Sequence, residues 1–430
     1  MYKIININNN LYIYFSLTMN LFPINSLVDT NIASTASEIE IYSIIKEQFV
    51  DIENQEDQIL ELLRNMKSRY DETCKISGMQ LNIAYACNMK CRYCFADDGA
   101  HQKSGCLSNN IIDDVTAFIE RYKADTVLIH LVGGEPLIDF SSFKTVVLII
   151  EKKLKQHVRF TTTVNGTLLN DEILGFFNEH NIEYMVSLDS YKKDIHDFLR
   201  QTKNGSSSYN KIMHDFVAYK DKYRYNSFHI TVTPFNINFS ETVKALYDLG
   251  AYHINIDFVK SNNKEFIFDN DKISVISEEC KKVEEIILTY IREKKEISCH
   301  PILTRIGRIH KRKPIISRCG VYSSLFACDS FGDIFPCDML MWEKYKLGDI
   351  YTGIDPDIRK QLVNDSSISE NCDTCWARFL CGGVCASDKL LYSGQMFMLC
   401  ELKKILLETR LRLYVRIREE QLDFDFDKYM

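Results

Sequence analysis

The 430-residue sequence has no surplus of basic charge, no uninterrupted apolar run, no internal repeat and no paired-histidine metal motif. Each absence closes off a class of function. Lysine plus arginine number 52 against 59 aspartates plus glutamates, a net charge of −7, which argues against a general nucleic-acid or anionic-membrane binder and leaves room only for a local basic patch. No charged residue occurs from Ile4 to Leu27, but Asn6, Asn8, Asn9, Asn10, Asn20 and Asn25 interrupt that stretch and Pro23 breaks it. A membrane-spanning helix needs roughly 20 predominantly apolar residues, so none is expected here. A secretory signal is not expected either, because Lys3 is the one basic residue at the start and no clean apolar run leads to a small-residue cleavage site. The expectation is a cytoplasmic, reducing setting with neither nucleic acid nor membrane as a partner.

What the sequence has in excess is cysteine. Fifteen are too many for an ordinary cytosolic enzyme and too few, over this length, for a disulfide-stapled secreted chain. Metal–thiolate chemistry is the leading explanation. With 46% hydrophobic residues, the chain can fill two or three packed units.

Alternation at residues 12–15 and helical spacing across 38–67 predict a small strand-plus-helix module, taken as residues 1–73. Further on, apolar β-rich segments at 80–85, 126–132, 158–164, 184–188, 229–232 and 253–258 alternate with helical patterns at 110–122, 143–155, 171–180, 209–223 and 240–249. Six strands joined by five right-handed crossovers make an α/β fold, a partial (β/α)6 TIM-like barrel within residues 74–300. Residues 301–405 form an irregular cysteine-rich domain, and 406–430 complete an amphipathic helix and tail.

Cys87, Cys91 and Cys94 make a C-x3-C-x2-C loop directly after the first barrel strand, at the end where active sites of parallel barrels gather. Three thiolates can hold three irons of a 4Fe-4S cube and leave the fourth open to another ligand. A zinc site would prefer two close cysteine pairs or added histidines. With Tyr93 before its last cysteine, the loop resembles the signature of radical S-adenosylmethionine (SAM) enzymes. That resemblance implies SAM bound to the open iron and cleaved reductively to a 5′-deoxyadenosyl radical. Gly133-Gly134-Glu135-Pro136 resembles the family's GGEP motif, which implies glycine backbone beside the methionine group of SAM and Glu135 at its ammonium. Asn165-Gly166-Thr167 resembles the segment near the ribose, and Ser187 with Arg200 resembles the pair that approaches the SAM carboxylate. The usual glycine after the following aspartate, Asp189, is Ser190 here.

Cys319, Gly332-x4-Cys337, Cys372-x2-Cys375-x5-Cys381-x3-Cys385 and Cys400 form a second pattern. It resembles the SPASM extension of radical SAM enzymes, which in full form carries two auxiliary 4Fe-4S clusters. The resemblance implies an outer cluster on Cys372, Cys375, Cys381 and Cys400 and an inner one on Cys319, Cys337 and Cys385, with Cys328 as the available fourth ligand. Read without it, the pairs Cys372/Cys375 and Cys381/Cys385 also suit zinc. Asp338 sits where sulfatase maturases of this kind carry a proposed catalytic base, while the run from Cys375 to Cys385 is closest to maturases that install thioether links in ribosomal peptides. The implied partners are a precursor peptide and a reducing donor such as flavodoxin or ferredoxin, with the N-terminal module either holding a leader peptide by β-augmentation or simply packing. Formylglycine formation by a sulfatase maturase is the alternative activity. A non-catalytic iron–sulfur or zinc protein is the alternative of another class, and the Cys87 loop combined with Glu135 and Asn165 speaks against it. Cys74, Cys106, Cys280 and Cys299 fit neither pattern and read as packing residues.

Overall fold

The computed structural model describes residues 1–28, 36–67, 75–96, 105, 107–122, 125–155, 157–224, 226–365 and 370–430; Cys74 and Cys106 lie outside the described residues. The first element is an antiparallel sheet of β1 (Tyr2–Ile7), β2 (Asn10–Phe15) and β3 (Leu21–Pro23). Asn8 and Asn9 adopt φ of 50° and 64°, the two left-handed positions that a tight hairpin turn requires and that asparagine tolerates. The inner face of this sheet packs on the helices Glu38–Ile45 and Val50–Lys67, forming a small core around Ile13, Phe15, Ile41 and Phe49. Glu56 is buried and accepts from the backbone of Leu17 (2.6 Å) and Thr18 (3.0 Å).

Both edges of that sheet are blunted. On β1 the outward Ile4 N–H donates to Glu38 (3.2 Å) and the Asn6 carbonyl accepts from Arg412 (2.8 Å). On β3 only three residues are extended, and Pro23 has no N–H to offer.

The main sheet has eleven strands in the order β10-β9-β8-β7-β6-β5-β4-β11-β12-β13-β14. Its parallel portion comprises β4 (Gly78–Ala84), β5 (Thr126–Gly133), β6 (His157–Val164), β7 (Glu183–Ser187), β8 (Ser227–Val232), β9 (His253–Phe258) and β10 (Ser298–His300). The expected α/β barrel is thus present, with one more parallel strand than the apolar runs reveal, because β10 is only three residues long. The second difference lies at the opposite edge. β11 (Leu325–Cys328) pairs in parallel with β4 and continues into the antiparallel β12 (Asp333–Phe335), β13 (Gly348–Asp349) and β14 (Gly353–Ile354). The cysteine-rich region therefore extends the barrel sheet and covers an edge strand that would otherwise be open.

Two long helices, Asn270–Arg292 and Met396–Glu419, pack on each other through Glu284, which is 1% exposed and takes ion pairs from Arg412 (2.9 Å) and Arg416 (3.3 Å). The second helix starts at the cysteine groups, crosses the position 405/406 without a break and ends against β1, so one rigid element touches all three regions. Among the described residues no helix is long and apolar enough to cross a membrane.

Candidate active site

The loop that follows β4 does not hold its shape alone. Lys90 N–H donates to the Gln201 carbonyl (2.8 Å), Arg92 N–H to Leu199 (3.0 Å) and Lys203 N–H to Asn88 (3.0 Å), which fastens the Cys87–Cys94 segment to the residues following the short helix Lys193–Leu199. All three thiols are half-buried and reach a common cavity of about 530 Å³, within the ~300–1,000 Å³ range of small-molecule sites. Burial raises the Cys87 thiol pKa and pushes that of Cys91 up to about 12. Such thiols favour a bound cation over free thiolate in an apolar surround, which is the situation a cluster iron resolves.

Glu135 forms the floor beside them. It is 1% exposed, and its carboxylate accepts from the backbone N–H of Asn165 (2.8 Å) and of Leu137 (3.2 Å). Burial raises its pKa to about 7, against the pull of those two hydrogen bonds and of Arg200. The folded chain thus holds a proton between pH 4.5 and about 7 that the unfolded chain has released. Stability is therefore expected to fall as pH rises through that window, by on the order of 3 kcal/mol in the SAM-free protein. Glu135→Gln should flatten this part of the stability curve in denaturant titrations; an identical curve for the variant would count against the assignment.

Gly134 and Gly133 leave no room for side chains. A Cβ on Gly134 would stand 2.5 Å from the Ala86 carbonyl oxygen, and one on Gly133 only 2.3 Å from that of Ala84. Gly134 lines the cavity, whereas Gly133 packs against β4. Asn165 donates to Asn88 (2.8 Å) and lies 3.9 Å from the Cys87 sulfur. Ser187 and Arg200 line the same space. The guanidinium of Arg200 donates to the Tyr93 hydroxyl (2.7 Å) and lies 3.9 Å from Asp189; its Nε is buried without a partner. Tyr93 in turn donates to Asp189, which also accepts from Thr231 N–H (3.1 Å). Asp189 is completely buried and is the hub that fixes both Tyr93 and Arg200.

Asp338 also faces this cavity, alongside Met339; its backbone N–H donates to Gln80 (3.0 Å). His229, Asn255 and Asp257 complete the inner wall, and the sequence reading did not single them out. The signal was there as period-two polar positions on β8 and β9, but the same alternation describes any half-solvated strand. Although burial opposes it, His229, His300, Lys260 and Arg318 together hold the Asp257 carboxyl below its usual range.

In the C-terminal region Cys372, Cys375, Cys381 and Cys400 line one cavity together with Cys385 and the cations Arg318, Arg378, Lys403 and Lys404. Cys337 lies within the electrostatic reach of Cys385 and Cys319. Cys385, which the resemblance assigns to the inner group, thus stands between the two sets. Cys328 joins neither: it sits on β11 opposite Leu81, 1% exposed in the main core, with its thiol donating to the Asp329 carbonyl (3.4 Å). The expectation that it ligates the inner cluster is corrected. The strand alternation turns Ala327 toward Phe335 and Met341 and sends Cys328 to the opposite face. Among the described residues no three such side chains converge on a single metal ion. Cys280 and Cys299 are fully buried in the main core.

Residues 81–246 match the model of the Radical SAM superfamily. The cysteine-type anaerobic sulfatase-maturating enzyme of Clostridium novyi (strain NT) is 25% identical over 337 residues, covering 70% of this chain and 86% of that protein. The serine-type enzyme of Bacteroides thetaiotaomicron is 30% identical over 141 residues, 30% of this chain and 33% of that one. Among solved structures, native anSMEcpe with bound AdoMet (SAM) superposes with a TM-score of 0.65 at 18% identity, covering 80% of this chain and 99% of that one. Streptococcus suis SuiB bound to its precursor peptide SuiA gives 0.54 at 12% identity, over 91% and 97%.

The chain is a radical SAM enzyme with a 4Fe-4S cluster and SAM as cofactors. Over most of its length it is similar to anaerobic sulfatase-maturating enzymes. The residues fit these cofactors: three thiols on one wall, a buried carboxylate able to face an ammonium, bare glycine backbone, and an unsatisfied guanidinium nitrogen. Cys87, Cys91 and Cys94 would hold the cluster, and Glu135, Asn165, Ser187 and Arg200 would orient SAM. When bound, the pair supplies the one-electron cleavage that generates a carbon radical. The chain's own contribution is to bind, to orient and to exclude water.

Proposed function

We propose that this enzyme is a peptide maturase with a SPASM-type C-terminal domain, which joins a carbon of a ribosomally made peptide to the sulfur of one of its cysteines. What carries the reading is the number of thiols in the inner group. Cys319, Cys337 and Cys385 make three, since Cys328 lies in the core, and the group adjoins the cavity wall formed by Arg318, Asp338 and Met339. A cluster held by three thiolates keeps one iron for an outside ligand, and a peptide cysteine thiolate suits it. In this reading the radical derived from SAM would take a hydrogen atom from the peptide carbon, the cysteine thiol would lose its proton and bond through sulfur to that carbon, and the surplus electron would pass to a C-terminal cluster. The peptide loses two hydrogens per link. A reducing donor of the flavodoxin or ferredoxin class and a cytoplasmic setting belong to the same reading.

Formylglycine formation is the second reading. It is supported by Asp338 on the wall of the same cavity, where it could take a proton from a substrate side chain, and by the sulfatase-maturating relatives.

Coexpression with a short cysteine-bearing peptide separates the two. Thioether formation is expected to lower the peptide mass by about 2 Da per link and to protect that cysteine from alkylation. A product that reacts with an aldehyde probe and has lost its sulfur establishes the second reading instead.

A further inference from the structure

Between the end of the barrel and the C-terminal cysteines lies a chamber of about 90 Å³ walled by Lys260, Arg305, Arg318, Lys403 and Arg410. Its acids are Asp257 and Asp388, and Cys381 stands in the same wall. Asp388 is shared by Lys260 at 2.6 Å and Arg318 at 3.6 Å. Arg305, Lys403 and Arg410 form no ion pair among the described residues. Arg410 is the extreme case. It is 2% exposed; its Nε and Nη2 both donate to the Pro301 carbonyl, and Nη1 is buried with no partner. Burial and the neighbouring Arg305 lower its pKa to about 9. Taking an unpaired guanidinium out of water is costly unless a negative group answers it.

Five cations less two acids leave three positive charges around this chamber. Arg318 and Lys403 also line the cavity of Cys372, Cys375, Cys381 and Cys400, so the groups nearest the surplus are the cysteine groups themselves. An oxidised 4Fe-4S core on four thiolates carries about two negative charges and one on three thiolates about one, which together match the surplus.

We propose that Arg305, Lys403 and Arg410 are positioning residues whose unpaired charge in the chamber wall answers the two C-terminal clusters and raises their reduction potential, making them electron acceptors. The inference rests on the reading of these cysteines as cluster ligands given above. Each reduction takes a cluster core from 2+ to 1+, and the added negative charge is stabilised by unpaired cations in a poorly screened surround.

The test uses the full chain with Cys87, Cys91 and Cys94 replaced by alanine, so that only the C-terminal clusters contribute. It is titrated with dithionite under electron paramagnetic resonance, with and without Arg410→Gln or Lys403→Met. The expected result is unchanged iron and, at a fixed potential, an oxidised-to-reduced ratio about tenfold higher in each variant, a potential lower by about 59 mV for one electron. Arg410→Lys, which keeps the charge, should recover most of the shift. Lys403 is only half-buried, so Lys403→Met keeps the test available if Arg410→Gln does not fold. Full iron with unmoved potentials in both variants overturns the proposal, as does an Arg410→Lys shift equal to that of Arg410→Gln. Absence of iron in the parent of the series overturns the cluster reading instead.

Discussion

Alanine at Cys87, Cys91 and Cys94 together is expected to abolish 5′-deoxyadenosine formation while leaving the C-terminal iron in place. The three thiols stand on one loop, pinned by backbone hydrogen bonds to Gln201, Leu199 and Lys203, and their cavity is distinct from that of Cys372, Cys375, Cys381 and Cys400. The loss should therefore be local. Anaerobically reconstituted protein should bind on the order of twelve irons per chain and the variant about eight. Chromatography of the reaction would read the nucleoside directly. Persistent 5′-deoxyadenosine in the variant refutes the assignment of the loop, and about four irons, or stoichiometric zinc, in the unmodified chain refutes the C-terminal clusters.

The second large effect belongs to a single methyl group. Gly134→Ala places a Cβ 2.5 Å from the Ala86 carbonyl oxygen and 2.6 Å from that of Tyr85. Both obstacles are backbone, and both belong to the segment leading into Cys87, so neither can turn aside as a side-chain end would. Separating them should cost about 1–3 kcal/mol and shift the loop that carries the thiols, so SAM affinity falls with stability. Gly175→Ala is the control: it lies in the helix Asp171–Glu179 with nothing within 4 Å of the added carbon, and should stabilise by up to about 1 kcal/mol. Denaturant midpoints and anaerobic SAM titration measure both. A Gly134→Ala protein with parental midpoint and affinity would falsify the close-approach argument.

Six of the parallel strands were legible because each is a run of apolar, β-branched residues between helical patterns, and local periodicity reports burial directly. β10 and β11 were not. They are three and four residues long, and their pairing with β9 and β4 joins segments far apart in sequence. The same reason hid the role of Asp189, though not its place after Ser187. Its role follows from Tyr93, Arg200 and Thr231 converging on it, and only the first two have any motif around them.

The sequence by itself determined the candidate chemistry: the C-x3-C-x2-C loop, the glycines with Glu135, and the run Cys372-x2-Cys375-x5-Cys381-x3-Cys385 sit at short spacings, and ligands of one cluster must lie within a few residues or in one cavity. Only the tertiary structure decided which thiols line one cavity. Cys328 was available by its place in the sequence, yet the pleat of β11 turns it into the core. The unpaired charge of Arg410 likewise comes into view only once a 24-residue helix carries it into the chamber between the barrel and the C-terminal cysteines. Spacing along the chain constrains which atoms can be neighbours, and burial and strand face, which depend on partners distant in sequence, select which of them are.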